Sequence, residues 1–264
     1  MSFVDDSTET AVAFAGMLAD KARAISLAGF RQDLDIALKS DKSPVTAIDR
    51  DVESMVRDMV ARSFPGHGFL GEEFASVNLT SDNVWVVDPI DGTRSFITGW
   101  PIWGTLIAKL VREQPSLGVI DMPALDERWI GIRGGACTFS NGGSTAACRV
   151  SECRSLDDAS FYTTNILYFG DADRRKVEAI LHRAAIPRFG GDCYSYGLLA
   201  SGHVDLVIES DLEPYDFLAL VPVVESAGGI ITDWAGRPLN RHSGKQVVAA
   251  ATAELHRQAL AMLR

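Results

Sequence analysis

The sequence predicts a layered α/β or α+β sandwich, on three observations. Helical apolar periods alternate with short apolar runs of strand length throughout the chain. The 264 residues are ample for a sizeable core. No internal repeat or low-complexity linker interrupts them. Helices and strands mixed in this way bury their apolar faces by stacking in layers.

Taken in order, residues 9–28 read as an amphipathic helix. Asp49–Arg62 reads as a second, because Val52, Met55, Val56, Met59 and Val60 fall on one face. Thr46 and Asp49 stand where its N-terminal cap belongs, and Phe64-Pro65-Gly66 ends it. Val84–Val87 is a short apolar run halted by Asp88-Pro89, as expected of a buried strand. Ile102–Val111, Gly118–Met122 and Trp129–Ile132 are further expected strands, and the Gly-rich stretch Gly134–Gly143 is expected to be a turn. Helices are expected near Arg174–Ala185 and over Tyr194–Ser201, the latter closed by Gly202. Val204–Glu209 reads as a strand. Asp216–Ala227 reads as a helix kinked by Pro222 and ended by Gly228-Gly229. Ile230–Asp233 is a strand, and the last helix starts about Ala253. The chain is read as one domain, 1–264, whose approximate halves are 1–150, carrying metal and phosphate residues, and 151–264, completing the site.

Composition narrows the function. A formal net charge of -10 argues against nucleic acid or an anionic membrane as the main partner. No apolar run is long enough to span a bilayer. Ala11–Ala19 followed by Ala22-Arg23-Ala24 has the outline of a leader peptide, but Asp5, Asp6 and Glu9 stand where a leader needs basic residues. Cys137, Cys148, Cys153 and Cys193 fit neither a zinc pattern nor a disulfide framework, so reduced thiols and a cytoplasmic location are expected.

The chemistry concentrates in Asp88-Pro89-Ile90-Asp91-Gly92-Thr93. A strand ends there in two carboxylates, Pro89 stiffens the turn, and Gly92 lets a ligand approach the main chain. A helix beginning after Gly92 would offer free N–H groups to a phosphate. Hard oxygen donors suit Mg²⁺ or Mn²⁺ rather than zinc. By itself such a turn is equally a capped surface turn. Two more carboxylates follow Phe69-Leu70 at Gly71-Glu72-Glu73, and Asp216 opens an otherwise apolar helix, where it also suits an N-cap.

With Pro44-Val45-Thr46 and Asp49 upstream, and Glu209, Tyr215-Asp216 and Gly228-Gly229 downstream, these segments resemble the inositol monophosphatase superfamily of Mg²⁺-dependent, lithium-sensitive phosphatases. The likeness covers about residues 9 to 250. It implies an α+β fold, a five-layered αβαβα sandwich, and usually a homodimer. It also implies that Glu72, Asp88 and the Ile90 carbonyl hold one metal ion, that Asp88, Asp91 and Asp216 hold a second, and that Glu72 shares in a third, weaker site. Gly92 and Thr93 would bind phosphate through backbone N–H groups, while Thr93 and Asp49 orient and deprotonate the attacking water. Metal ions neutralise the phosphate dianion and the leaving alkoxide, so no covalent intermediate is needed.

At two places the chain departs from common inositol phosphatases, which carry Gly-Thr-Ala and Trp-Asp there. Gly191-Asp192-Cys193-Tyr194 and Pro214-Tyr215-Asp216-Phe217 are similar instead to the histidinol-phosphate phosphatase branch, as are Arg94-Ser95-Phe96-Ile97 and Trp103-Gly104-Thr105. Histidinol phosphate carries a cationic amine and an ionisable imidazole, for which Asp192 and Glu209 would be carboxylate partners. Asp192 also suits an N-cap, and Tyr215 suits either stacking on imidazole or the core. An inositol phosphate or broad sugar-phosphate phosphatase is the alternative, and a non-catalytic binding protein a further one. Arg94, Lys39 and Lys42 read as surface cations, and the five histidines as surface or loop residues.

Overall fold

The computed structural model describes residues 7–33, 36–38 and 44–264; Lys39 and Lys42 lie outside them. The chain begins with α1 (Thr8–Gly29), capped by the Ser7 side chain, and continues through β1 (Ile36–Leu38) and β2 (Pro44–Thr46). α2 (Ala47–Ser63) opens with a capping box in which Thr46 and Asp49 satisfy each other's backbone N–H groups, as their spacing predicts. Then follow β3 (Gly68–Gly71), β4 (Asn83–Asp91), α3 (Thr93–Ile97), β5 (Gly104–Val111), β6 (Gln114–Met122), β7 (Glu127–Ile132), β8 (Cys137–Asn141) and β9 (Ser144–Ala147). The second half runs β10 (Ser160–Thr163), α4 (Asp171–Arg183), β11 (Ile186–Phe189), α5 (Cys193–Ala200), β12 (Leu206–Glu209), α6 (Pro214–Phe217), α7 (Leu220–Ser226), β13 (Ile230–Thr232), β14 (Val247–Ala250) and α8 (Ala253–Leu263).

Two larger sheets result. Strands β3 to β9 lie in sequence order in one seven-stranded sheet, antiparallel except for the β3–β4 pair. The other has the order β11-β10-β12-β14-β13. The two-residue alternation of strand side chains decides what each face covers. Trp85, Val87, Ile107 and Val119 meet Phe14, Leu18, Val52 and Val56 of α1 and α2. Val84, Val86, Leu106 and Ile120 face the other way, onto α5, α6 and α7 and onto Val207, Ile231, Val247 and Ala249 of the second sheet. That sheet turns Phe161, Leu206, Ile208 and Val248 toward Val177 and Ile180 of α4 and Leu255 and Ala259 of α8. The stack is therefore αβαβα, an α+β fold, and the acidic strand end lies on its central seam.

The structure corrects the sequence reading at four places. Gly134–Gly143 is no simple turn: Cys137–Asn141 forms β8, which pairs with β7 through Trp129 opposite Phe139 and turns back at Gly142-Gly143 into β9. β10 and β11 escaped the sequence reading, since β11 is exposed along its length and carries Pro187 on a sheet edge. The Asp216–Ala227 helix is two helices, starting at Pro214. Pro222 has no N–H for the Leu218 carbonyl and its ring crowds that group, so helical bonding breaks across residues 218–219. His256, expected as a surface or loop residue, is buried on α8 and hydrogen-bonded to the Thr232 hydroxyl at 2.8 Å, whereas His67 does lie in a loop, where it accepts from the Trp85 indole at 3.1 Å.

Candidate active site

The site is assembled at one end of β4. Asp88 continues the buried strand and is 2% exposed. Its Oδ1 accepts the Ile90 N–H at 3.0 Å, closing the turn that Pro89 stiffens. The strand pairing is interrupted between Asp88 and Asp91, so both carboxylates are turned to the same end. Gly92 then takes a φ of +81°, and α3 begins at Thr93. A side chain at Gly92 would be strained and would press on the Asp192 carboxylate, which is why this position needs glycine. Gly92, Thr93 and Arg94, at the start of α3, line the same cleft.

Distant segments complete the cluster. Asp216 is the third residue of α6, and its Oδ2 accepts the Glu213 N–H at 2.7 Å. Asp88, Asp91 and Asp216 bring carboxylate oxygens within 4.8 Å of one another. Glu72 lies close enough to Asp88 for its charge to raise the Asp88 carboxyl. The loop carrying Glu72 is held by Glu53, a fully buried carboxylate that accepts the N–H groups of Glu73 at 2.6 Å and Phe74 at 3.1 Å. Gly71 has no Cβ because one would overlap the Glu53 carboxylate. Glu53 escaped the sequence reading; its one signal is a charge beside Val52 on the helix face that otherwise packs inward.

The cleft has a volume of about 350 Å³ and contains Glu72, Asp88, Ile90, Asp91, Asp192, Tyr215 and Asp216 in its wall. Arg94 and Lys245 are its cations, and Lys245 is paired to Glu213 at 2.6 Å. Burial pushes the Asp88 carboxyl well up, and the neighbouring charges of Glu72, Asp91 and Asp216 push it further. Asp216 is raised well up by burial and then by Asp91, and Asp91 is raised by burial. So many buried carboxylates of one sign repel each other and any phosphate. Their hard oxygen donors fit divalent cations of the Mg²⁺ kind, which relieve both problems.

The other expected residues divide. Thr93 is on the cleft wall, and its hydroxyl donates to the Ile90 carbonyl at 3.0 Å. Asp49 is not among the lining residues. Its Oδ2 accepts from the Thr46 N–H at 2.8 Å and hydroxyl at 2.6 Å, while its Oδ1 is buried without a partner among the described residues. Asp192 precedes α5 but makes no side-chain cap; instead it lies against Gly92 and accepts from Ser95 at 3.4 Å. Burial, then the Asp91 charge, pushes Asp192 to about 7. Glu209 ends β12, buried, with Oε1 accepting from the Thr164 N–H at 2.7 Å and hydroxyl at 2.9 Å. Burial raises it to about 8. Tyr215 is half-buried, lines the cleft and packs on the core, the second of its two expected places. Tyr168, which the sequence reading passed over, lines the cleft beside Arg94 and Asp192.

These shifts set a pH dependence. Each of these groups has a folded pKa above its unfolded value, so the metal-free folded protein holds protons that the unfolded chain has released. Stability is then greatest below about pH 4.5 for Glu209 and is lost as pH rises toward its folded value of about 8. Thermal melting in EDTA is expected to show a midpoint falling across this window, and Mg²⁺ to raise it more at the alkaline end. A midpoint that climbs steadily across the window in EDTA would contradict the assignment.

The described residues contain no helix long and apolar enough to cross a membrane. Residues 7–264 match the Inositol monophosphatase family. The chain is 42% identical over 268 residues to "Bifunctional phosphatase IMPL2, chloroplastic" of Arabidopsis thaliana, covering 98% of this chain and 76% of that protein. It is 38% identical to the histidinol-phosphatase of Mycobacterium tuberculosis, with 93% and 95% covered. The solved structure of an inositol monophosphatase from Zymomonas mobilis superposes with a TM-score of 0.88 at 40% identity, over 98% of this chain and 99% of that one. With an αβαβα stack, a carboxylate cluster at its seam and these likenesses, the chain belongs to the inositol monophosphatase family and is a phosphatase, a phosphoric monoester hydrolase.

Proposed function

We propose that the chain hydrolyses histidinol phosphate to histidinol and phosphate, a step of histidine biosynthesis, with Mg²⁺ as its metal and Mn²⁺ as a substitute. One observation carries the substrate reading: Asp192, half-buried, and Glu209, buried, lie beside the carboxylate cluster and have been pushed to about 7 and about 8. A cationic substrate restores their charged forms and gains charge-assisted hydrogen bonds, whereas a neutral polyol leaves two desolvated acids uncompensated. The names of the relatives agree with either ester, since both histidinol-phosphatases and inositol monophosphatases occur among them.

In this reading Glu72, Asp88, the Ile90 carbonyl, Asp91 and Asp216 hold two or three ions. When bound, these supply charge neutralisation and a more acidic water. The N–H groups of Gly92 and Thr93 bind the phosphate oxygens at the start of α3. The Thr93 hydroxyl and Asp49, whose buried Oδ1 has no partner among the described residues, orient the attacking water and take its proton, with Glu72 as a further catalytic carboxylate. Tyr215 covers the imidazole.

Two further proposals concern the setting. Four free cysteines support a reducing, cytoplasmic compartment. Trp100, Ile186 and Phe189 are large exposed apolar residues that support a homodimer.

The test compares kcat/KM on histidinol phosphate and on inositol monophosphate, with and without Mg²⁺. Wild type is expected to favour histidinol phosphate by at least about tenfold, and Asp192→Asn to lower kcat/KM on it by about tenfold or more. A preference for inositol monophosphate, or an Asp192→Asn enzyme as fast as wild type on histidinol phosphate, would refute the reading.

A further inference from the structure

Behind the cleft, two buried polar atoms have no partner among the described residues: Oε2 of Glu209 and the hydroxyl oxygen of Tyr196. Each residue is 2% exposed. Both line one small chamber of about 50 Å³, together with Asp91, Asp192, Thr164 and Asp216. The chamber shares Asp91, Asp192, Tyr168 and Asp216 with the cleft, so it is an inner extension of the same site.

Tyr196 stands on α5 amid Trp129, Leu199 and Phe217 in the largest apolar cluster. A phenylalanine would fill that space without stranding a hydroxyl, and a stranded buried hydroxyl is destabilising. The sequence reading found nothing for this residue beyond its helix. Its one polar atom has a use only if something enters the chamber.

Size and donor chemistry limit what enters. A water occupies roughly 30 Å³ in the liquid, so a chamber of about 50 Å³ has room for a group the size of an amine. Its wall combines apolar side chains, Leu212 and Leu220 among them, with the carboxylates of Asp91, Asp192, Glu209 and Asp216, so the polar positions are mainly acceptors. The Thr164 hydroxyl is already engaged with Glu209 Oε1. An ammonium group brings three donors and no acceptor, which matches this wall; an alcohol brings one donor and lone pairs that need donors of their own.

Resting on the histidinol phosphate reading, we propose that this chamber is the subsite for the substrate's ammonium group and that Tyr196 is a specificity-determining residue, its hydroxyl oxygen accepting from the ammonium beside Glu209 Oε2. The metal cluster would then read the phosphate, the cleft the imidazole, and the inner chamber the amine.

The experiment uses the Mg²⁺-loaded full chain and two esters, histidinol phosphate and its analogue lacking only the amine. Wild type is expected to prefer the amine ester. In Tyr196→Phe that preference falls about tenfold, through KM rather than kcat, while the melting midpoint of the variant stays equal or rises. Glu209→Gln loses more of the preference. A Tyr196→Phe enzyme with the wild-type preference overturns the role of Tyr196 and leaves the histidinol phosphate reading standing. Equal losses on both esters mark Tyr196 as a packing residue and overturn it too. A wild type that hydrolyses neither ester, or both equally well, overturns the substrate reading and the subsite with it. Should Tyr196→Phe fail to fold, the wild-type melting shift with histidinol is compared with that from its deaminated alcohol; equal shifts overturn the subsite.

Discussion

Asp88→Asn is expected to lower turnover by more than about a hundredfold, the upper end of what loss of an outer-shell partner costs a metal site. Asparagine keeps an oxygen for the Ile90 N–H, so the turn survives while the charge is lost. The same substitution has an opposite effect on the empty site. Asp88 is buried against Glu72, Asp91 and Asp216, and all of them push its carboxyl up. Removing one such charge relieves the repulsion, so Asp88→Asn should melt higher than wild type in EDTA at neutral pH and gain less from added Mg²⁺. Phosphate release and melting curves with and without Mg²⁺ measure both effects. A fully active variant, or one that gains as much from Mg²⁺ as wild type, would remove Asp88 from the metal site.

Gly118→Ala is expected to destabilise the fold by about 3 kcal/mol or more, beyond ordinary overpacking, because the obstacle is backbone. Gly118 on β6 and Gly131 on β7 are directly paired across the sheet. A Cβ at Gly118 would overlap the Ala219 carbonyl, and one at Gly131 would overlap the Pro222 carbonyl and the Val223 backbone. The glycine pair is therefore the seat on which the α6–α7 segment lies directly on the sheet. Lifting that segment moves Asp216, so Mg²⁺ affinity should fall along with stability. Gly16→Ala is the contrast: Gly16 lies inside α1 with nothing within 4 Å of a Cβ. There alanine should raise stability by up to about 1 kcal/mol through helix propensity. Denaturant melts of the two variants read the difference, and a Gly118→Ala protein as stable as wild type would dismiss the seat.

Neither glycine signals its role in the sequence. Both sit in runs that read simply as strands, and which backbone rests on them depends on a helix about a hundred residues downstream. Asp192 shows the same limit. Its place before a helix suggests a cap, but its neighbour's N–H is taken by Asp91 Oδ2 at 2.7 Å, a contact across 102 residues. Glu53 and Tyr196 are polar residues on inward-packing helix faces, and only their tertiary neighbours distinguish a functional group from a tolerated irregularity.

The sequence by itself determined whatever is decided within one turn or one strand. The Thr46–Asp49 cap, the Asp88–Thr93 strand end and the alternation of Val84 to Val87 depend on neighbours a few residues away; such patterns predicted a layered fold, and the family resemblance the motifs carry implied the phosphatase chemistry. The tertiary structure alone decided which distant groups meet: Asp216 beside Asp88, Glu53 under Glu72, and Glu209 with Tyr196 around one chamber. Local spacing governs turns and periods. Burial, like-charge repulsion and a missing partner become visible only when the two sheets close on the seam between them.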